Sequence, residues 1–105
     1  MAVQNVAHEK LVNEILRRYG ARDEWRIWKN STGTAFQGRR RISFGLVGSS
    51  DIIGLLRPGI FVALEVKTGK AVLSNQQRSF KKMIEEMGGI HCVIRDIEQV
   101  ESIFK

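Results

Sequence analysis

The sequence predicts a single α/β domain, residues 1–105, in which helices flank a mixed β-sheet. Two observations support this fold class. Apolar residues recur at helical spacing in two stretches, one near the start of the chain and one after Ser74. Short runs rich in Ile, Val and Leu lie between and after these stretches, and two of them flank the turn signal Pro58-Gly59. At 105 residues with 43% apolar content, the chain can bury one modest core.

We expect the elements in the order α-β-β-β-α-β, followed by a short C-terminal helix. The first helix is predicted over about residues 7–19, where one face is apolar. A strand over 25–29 follows, and then a basic, glycine-rich segment that we expect to be a mobile loop. Residues 51–56 and 60–67 predict a hairpin that is apolar on both faces, so the sheet should be covered on both sides.

The second helix is predicted to begin after Ser74, because Ser74 and Gln77 fit a capping box. Its apolar residues recur at helical spacing up to Met87, and Gly88-Gly89 then supplies a stop signal. The apolar run that follows predicts a last strand over residues 90–95.

The hairpin brings Asp51 and Glu65 together if its turn is centred on Pro58, because each acid then lies seven residues from the centre. Directly opposed residues have Cβ atoms roughly 5 Å apart, and two carboxylates at that separation repel unless a cation lies between them. Lys67 projects from the same face as Glu65. A two-residue loop would instead pair Asp51 with Val66 and place the acids on opposite faces.

Several of these residues have both an ordinary and a functional interpretation. A Glu-x-Lys tripeptide is commonly a salt-bridged strand end. Residues 48–50, just before Asp51, form either a plain loop or a backbone that a ligand can approach closely. Gln77 either caps its own helix or reaches the lysine or a phosphate from the sheet-facing stripe, and Gln76 is its neighbouring alternative.

The first helix offers one acid that borders the core. At about 100° per residue, Glu9 lies beside the apolar face, whereas Glu14 lies on the solvent side. Glu9 is therefore the better candidate for a site residue. His8 projects near the middle of the apolar stripe, where we expect a partly buried structural histidine rather than a ligand.

Four segments in this order resemble the VRR-NUC branch of the PD-(D/E)XK nucleases, in its stand-alone phage and bacterial type. They are Glu9 on the first helix, Gly48-Ser49-Ser50-Asp51, Leu64-Glu65-Val66-Lys67 and Leu73–Phe80. The segment 27–33 also resembles that family's stretch between the first helix and the core sheet, so the likeness covers nearly the whole chain. One position departs from the superfamily pattern, because the proline that gives the superfamily its name is Ser50 here.

The resemblance implies a restriction-endonuclease-like core and a Mg²⁺- or Mn²⁺-dependent deoxyribonuclease. The expected catalytic and metal-binding residues are Glu9, Asp51, Glu65, Val66, Lys67 and Gln77. Hard cations prefer oxygen ligands, so Asp51, Glu65 and the Val66 carbonyl are expected to bind the metal, while the acid on the first helix orients a water or supports a second ion. Lys67 would position or help deprotonate the attacking water, and Gln77 would orient Lys67 or the substrate.

The net charge of +6 indicates where a nucleic acid would bind. Residues 1–50 carry nine basic and four acidic side chains, whereas residues 51–105 carry eight and seven. The densest cluster is Arg39-Arg40-Arg41, which we expect to contact phosphates together with Lys70. The ordinary alternative is a solvated charged loop.

The family resemblance further implies a homodimer that acts on branched DNA, such as four-way junctions, in repair, recombination or phage replication. The alternative function is a non-catalytic nucleic-acid-binding or assembly subunit that keeps the nuclease fold, and a basic RNA-binding module ranks below it.

We expect no membrane association, no organic cofactor and a cytoplasmic location, since the chain opens without a signal peptide. Cys92 is expected to be a buried thiol, and the scattered His and Cys residues do not match zinc-ligand spacing.

Overall fold

The computed structural model describes residues 2–31 and 33–104. Its helices are α1 (Ala2–Tyr19), α2 (Asn75–Glu86) and the short α3 (Glu98–Glu101), which continues into a 3₁₀ turn at Ser102–Phe104. Its strands are β1 (Trp25–Lys29), β2 (Gly33–Gln37), β3 (Arg40–Phe44), β4 (Ile52–Leu56), β5 (Ile60–Val66) and β6 (Ile90–Ile94). Within this described part, no helix is both long enough and apolar enough to cross a membrane.

Four of the strands form a mixed sheet in the order β1-β4-β5-β6. The β1–β4 and β4–β5 pairs are antiparallel, whereas β5 and β6 are parallel. Parallel neighbours need a long crossover connection, and α2 provides it. The predicted α/β class and the mixed sheet are therefore confirmed.

The hairpin register is the one centred on Pro58, because Ile52 pairs with Leu64 and Leu56 pairs with Ile60. Residues 57–59 form the turn, so a three-residue connection replaces the two-residue loop that would have separated the acids. Continuing this register by one residue places Asp51 opposite Glu65.

Each face of the sheet packs against a helix, as predicted. Helix α1 and the C-terminal α3 cover one face, in a core formed by Val12, Ile15, Tyr19, Trp25, Ile27, Ile52, Val62, Leu64, Val66, Ile94 and Val100. Helix α2 covers the other face, where Phe80 and Ile84 pack with Ala63. Two helices on opposite faces leave the ends of the strands as the places where polar side chains can gather.

The basic segment between β1 and β4 corrects one prediction. We expected a mobile loop, but residues 33–44 form a separate two-stranded antiparallel sheet, β2–β3. Gly38 sits in its tight turn with a φ of 63°, a conformation that glycine adopts without strain. The segment carries β-forming residues such as Phe36 and Ile42. The arginines and glycines around them made the segment look like a loop in the sequence pattern. Helix α1 also begins earlier than predicted, at Ala2.

Candidate active site

Asp51 lies at the end of the sheet where β4 begins and β5 ends. Its Oδ2 atom accepts a hydrogen bond of 2.8 Å from the backbone N–H of Val66. Its own carbonyl accepts a second bond of 2.8 Å, from the backbone N–H of Asn30 at the end of β1. Backbone groups of β5 and of Asn30, the residue that follows β1, therefore fix the position of this acid, which lies one residue before β4.

Glu65 is the buried acid of the pair, with 3% of its surface exposed. Its Oε2 atom accepts a hydrogen bond of 3.1 Å from Gln77 Nε2 and lies 3.9 Å from Lys67 Nζ. Its Oε1 atom is buried and has no hydrogen-bond partner among residues 2–31 and 33–104. One carboxylate oxygen is thus held in place, and the other is left unsatisfied.

The surroundings of Glu65 favour its neutral form. Burial is the main cause, the nearby Asp51 carboxylate adds charge repulsion, and the Lys67 amine opposes them. Together these effects raise the pKa of Glu65 from 4.5 to about 8. Without a further cation, the Glu65 carboxyl is therefore mostly protonated at pH 7.

Gln77 caps its own helix, which is one of the two roles that the sequence left open, and its side chain also reaches into the site. It caps α2, since its backbone N–H donates to Ser74 Oγ at 3.1 Å and its Oε1 accepts from the Ser74 N–H at 2.9 Å. Because the amide oxygen is used by the cap, the amide nitrogen is left to donate to Glu65. Its partner in the site is thus the acid rather than the expected Lys67.

The first helix contributes a residue that the sequence analysis treated as structural. His8 is partly buried, and its Nε2 lies 3.3 Å from Asp51 Oδ2. Glu9, the expected site residue, points elsewhere: 49% of its side chain is exposed and its Oε1 lies 3.6 Å from Lys29 Nζ. The useful signal was that His8 projects near the middle of the apolar stripe, because that stripe faces the sheet.

The segment that leads into Asp51 is tightly constrained. Gly48 has a φ of 85°, and a Cβ atom there would lie 2.5 Å from the backbone oxygen of Gln76. The loop therefore packs directly on the first turn of α2, and only glycine fits this contact. On the other side, Asn30 Nδ2 donates to Ser49 Oγ at 2.7 Å and to the Ser50 carbonyl at 2.9 Å. We did not single out Asn30 in the sequence, because nothing local distinguishes it.

The basic candidates lie on two separate surface elements. Arg39 is in the turn of the β2–β3 hairpin, and Arg40 and Arg41 are in β3, all three exposed. Lys70 is exposed in the turn after β5. All four side chains are thus open to solvent, as contact with a phosphate backbone requires.

The two acids suit a hard divalent cation chemically, because such ions take carboxylate and carbonyl oxygens and keep several waters. The buried Glu65 Oε1, which has no hydrogen-bond partner among the described residues, fits this donor set. In the described ranges, no group of three or more His, Cys, Asp or Glu side chains could hold a metal ion, so backbone oxygens and water would have to complete the shell. No family model matches the chain, and no curated protein matches it.

Proposed function

We propose that this chain is a Mg²⁺- or Mn²⁺-dependent deoxyribonuclease with a restriction-endonuclease-like core, as its resemblance to the VRR-NUC nucleases implies. The observation that carries the proposal is Glu65, a buried acid that lies beside Asp51 and has one oxygen unpaired within the described residues. Burying such a group in its ionised form costs several kcal/mol unless a cation compensates. The ordinary explanation, a salt-bridged strand end, accounts for it poorly, because the Lys67 amine lies 3.9 Å from the other oxygen of Glu65.

Asp51, Glu65 and the Val66 carbonyl would hold the metal. When bound, a divalent cation stabilises negative charge on a phosphate and makes its bound water more acidic. The bond from Val66 N–H to Asp51 fixes one acid, and the Gln77 amide fixes the other. Gln77 thus orients Glu65, which differs from the orientation of Lys67 that we expected from the sequence.

Lys67 would act on the reacting groups. Its side chain is 16% exposed, so the amine is confined near the acids while remaining accessible from solvent. An amine in that position can hold the attacking water and offset the negative charge that develops on the phosphorane. Glu9 keeps its proposed role in orienting a water or supporting a second ion, which requires it to leave its exposed ion pair with Lys29.

The proposed substrate is DNA with a branched shape. The excess of basic side chains in the first half of the chain favours a polyanionic partner. A chain of 105 residues has little surface for reading base edges, so DNA shape is a more plausible target than sequence. The preference for four-way junctions and the homodimer both come from the family resemblance, and a two-fold dimer would present two sites to a symmetric junction.

The deciding experiment is a cleavage assay on linear, flapped, forked and four-way DNA in Mg²⁺, Mn²⁺ or EDTA. We expect cleavage with either metal, none in EDTA, and none for Asp51→Asn. Binding without cleavage in any metal would instead identify a non-catalytic nucleic-acid-binding subunit. Cleavage that persists in EDTA would refute the metal-dependent mechanism.

A further inference from the structure

Ser50 makes a buried hydrogen bond that links the segment leading into β4 to strand β6. Its surface is 1% exposed, and its Oγ lies 3.1 Å from Nε2 of His91 on β6, which is 6% exposed. The strands β4 and β6 lie on opposite sides of β5, where Ala63 pairs with Ile53 on one side and with His91 on the other.

The imidazole of His91 is held in a fixed place. Phe80 of α2 packs edge-on against it, with ring centroids 6.1 Å apart. Its Nδ1 atom is buried without a hydrogen-bond partner in the part of the chain that the structure describes. An unsatisfied buried nitrogen costs free energy, so an apolar residue would serve packing better at this position. The bond to Ser50 is an interaction that histidine makes here and an apolar residue could not make.

Ser50 is held from the other side as well. Asn30 Nδ2 donates to the Ser50 carbonyl at 2.9 Å, and the Asn30 N–H donates to the Asp51 carbonyl at 2.8 Å. The carbonyls of Ser50 and Asp51 are thus held by Asn30, the residue that follows β1, and the serine hydroxyl is held by His91 of β6. Serine lacks the fixed φ of a proline, so side-chain bonds must supply the rigidity that a proline would give at this position.

We propose that His91 is a positioning residue that, through Ser50, fixes the backbone carrying Asp51 and so sets the spacing of the two acids. The inference rests on the proposed function, because it assigns His91 a role at the proposed metal site. Ligand groups must be held within about 0.5 Å of their working positions, and outer groups that orient ligands typically change metal affinity by about 10–100-fold. The Ser50–His91 bond acts on one of only two carboxylates, so its loss should have an effect of that size.

The test measures Mn²⁺ affinity directly, from the paramagnetic resonance signal of free Mn²⁺. Ser50→Ala and His91→Leu should each weaken binding by about tenfold or more, and the double variant should be no weaker than either single variant. His91→Gln places an amide near the former Nε2 position and should restore most of the affinity. Cys92→Ala is the matched control, because the neighbouring Cys92 packs on the opposite face of the sheet.

Cleavage of DNA supplies a second readout. The two disrupting variants should lower kcat while KM for DNA stays near the wild-type value, since the phosphate-binding residues are untouched. Urea unfolding checks that each variant is folded, and Ser50→Ala, which removes one oxygen atom, serves if His91→Leu does not fold. Wild-type Mn²⁺ affinity in Ser50→Ala would overturn the positioning role alone. A wild-type protein that binds no Mn²⁺ would overturn the proposed metal site together with it.

Discussion

Replacing Glu65 with glutamine should stabilise the metal-free protein at pH 8 and change its stability little at pH 5. In the unfolded chain this carboxyl ionises near 4.5, whereas burial and the neighbouring Asp51 raise the folded pKa to about 8. A raised carboxyl pKa contributes stability that is fully present below pH 4.5 and is lost as the pH rises through 8. Glutamine resembles the protonated acid in shape and hydrogen bonding, so the variant should not lose this contribution.

The size of the effect follows from linkage. The pKa difference between 4.5 and about 8, at about 1.4 kcal/mol per unit, corresponds to about 5 kcal/mol. This is a ceiling, because water entering the site, or movement of Lys67 toward Glu65, would reduce the cost of ionisation. Domains of this size have total stabilities of about 5–15 kcal/mol, so even a fifth of the ceiling is easily measured.

The assay is urea unfolding in EDTA at pH 5, 6, 7 and 8. The free energy of unfolding of wild type should fall relative to that of Glu65→Gln as the pH rises, and Glu86→Gln on the exposed surface of α2 is the matched control. Parallel pH profiles for wild type and Glu65→Gln would show that Glu65 ionises normally. The electrostatic basis of the proposed metal site would then be refuted.

Three further predictions address the metal, the chemistry and the DNA contact. Millimolar Mg²⁺ or Mn²⁺ should raise the melting temperature of wild type, because an ion that binds only the folded protein stabilises it. Asp51→Asn should abolish most of that shift. Equal shifts in wild type and variant would show that Asp51 does not bind the metal. Lys67→Ala should reduce cleavage by orders of magnitude while Mn²⁺ binding persists, and near-normal turnover would exclude its proposed role. Substituting Gln at residues 39–41 should weaken binding to every DNA shape. The slope of log affinity against log salt concentration, measured in Ca²⁺, should fall in magnitude by about one per lost contact. An unchanged slope would mean that these arginines are only solvated.

The acids could be placed from the sequence because the hairpin is short and its turn is marked. Its strands are apolar on both faces, so hydrophobic periodicity alone could not choose the register. The register with both acids together was preferred because a metal site needs them on one face, and the observed pairing agrees with it. The capping box of Gln77 was visible for a similar reason, since both of its members lie within one turn of helix.

Three features could not be predicted from the sequence: a bond between distant residues, an exposed hairpin, and the direction of one side chain on α1. The Ser50–His91 bond joins residues far apart in the chain, and no local pattern encodes it. The β2–β3 hairpin lacks the half-buried alternation that marks a strand, because the described side chains of both strands are exposed. The sequence favoured Glu9 over Glu14 and treated His8 as structural, whereas His8 is the helix residue that lies beside Asp51; one step along a helix changes the direction of a side chain by about 100°.

The β2–β3 hairpin leaves and rejoins the main sheet at adjacent points, because Lys29 at the end of β1 pairs with Ile52 at the start of β4. The segment between them is therefore an insertion in the main sheet. Its length and composition can vary while β1 and β4 keep their pairing. Under the proposed function, the principal cationic surface and the acids then occupy separable modules of one short chain. Substrate preference could diverge, or be redesigned, by exchanging residues 33–44 without rebuilding the centre that performs the chemistry.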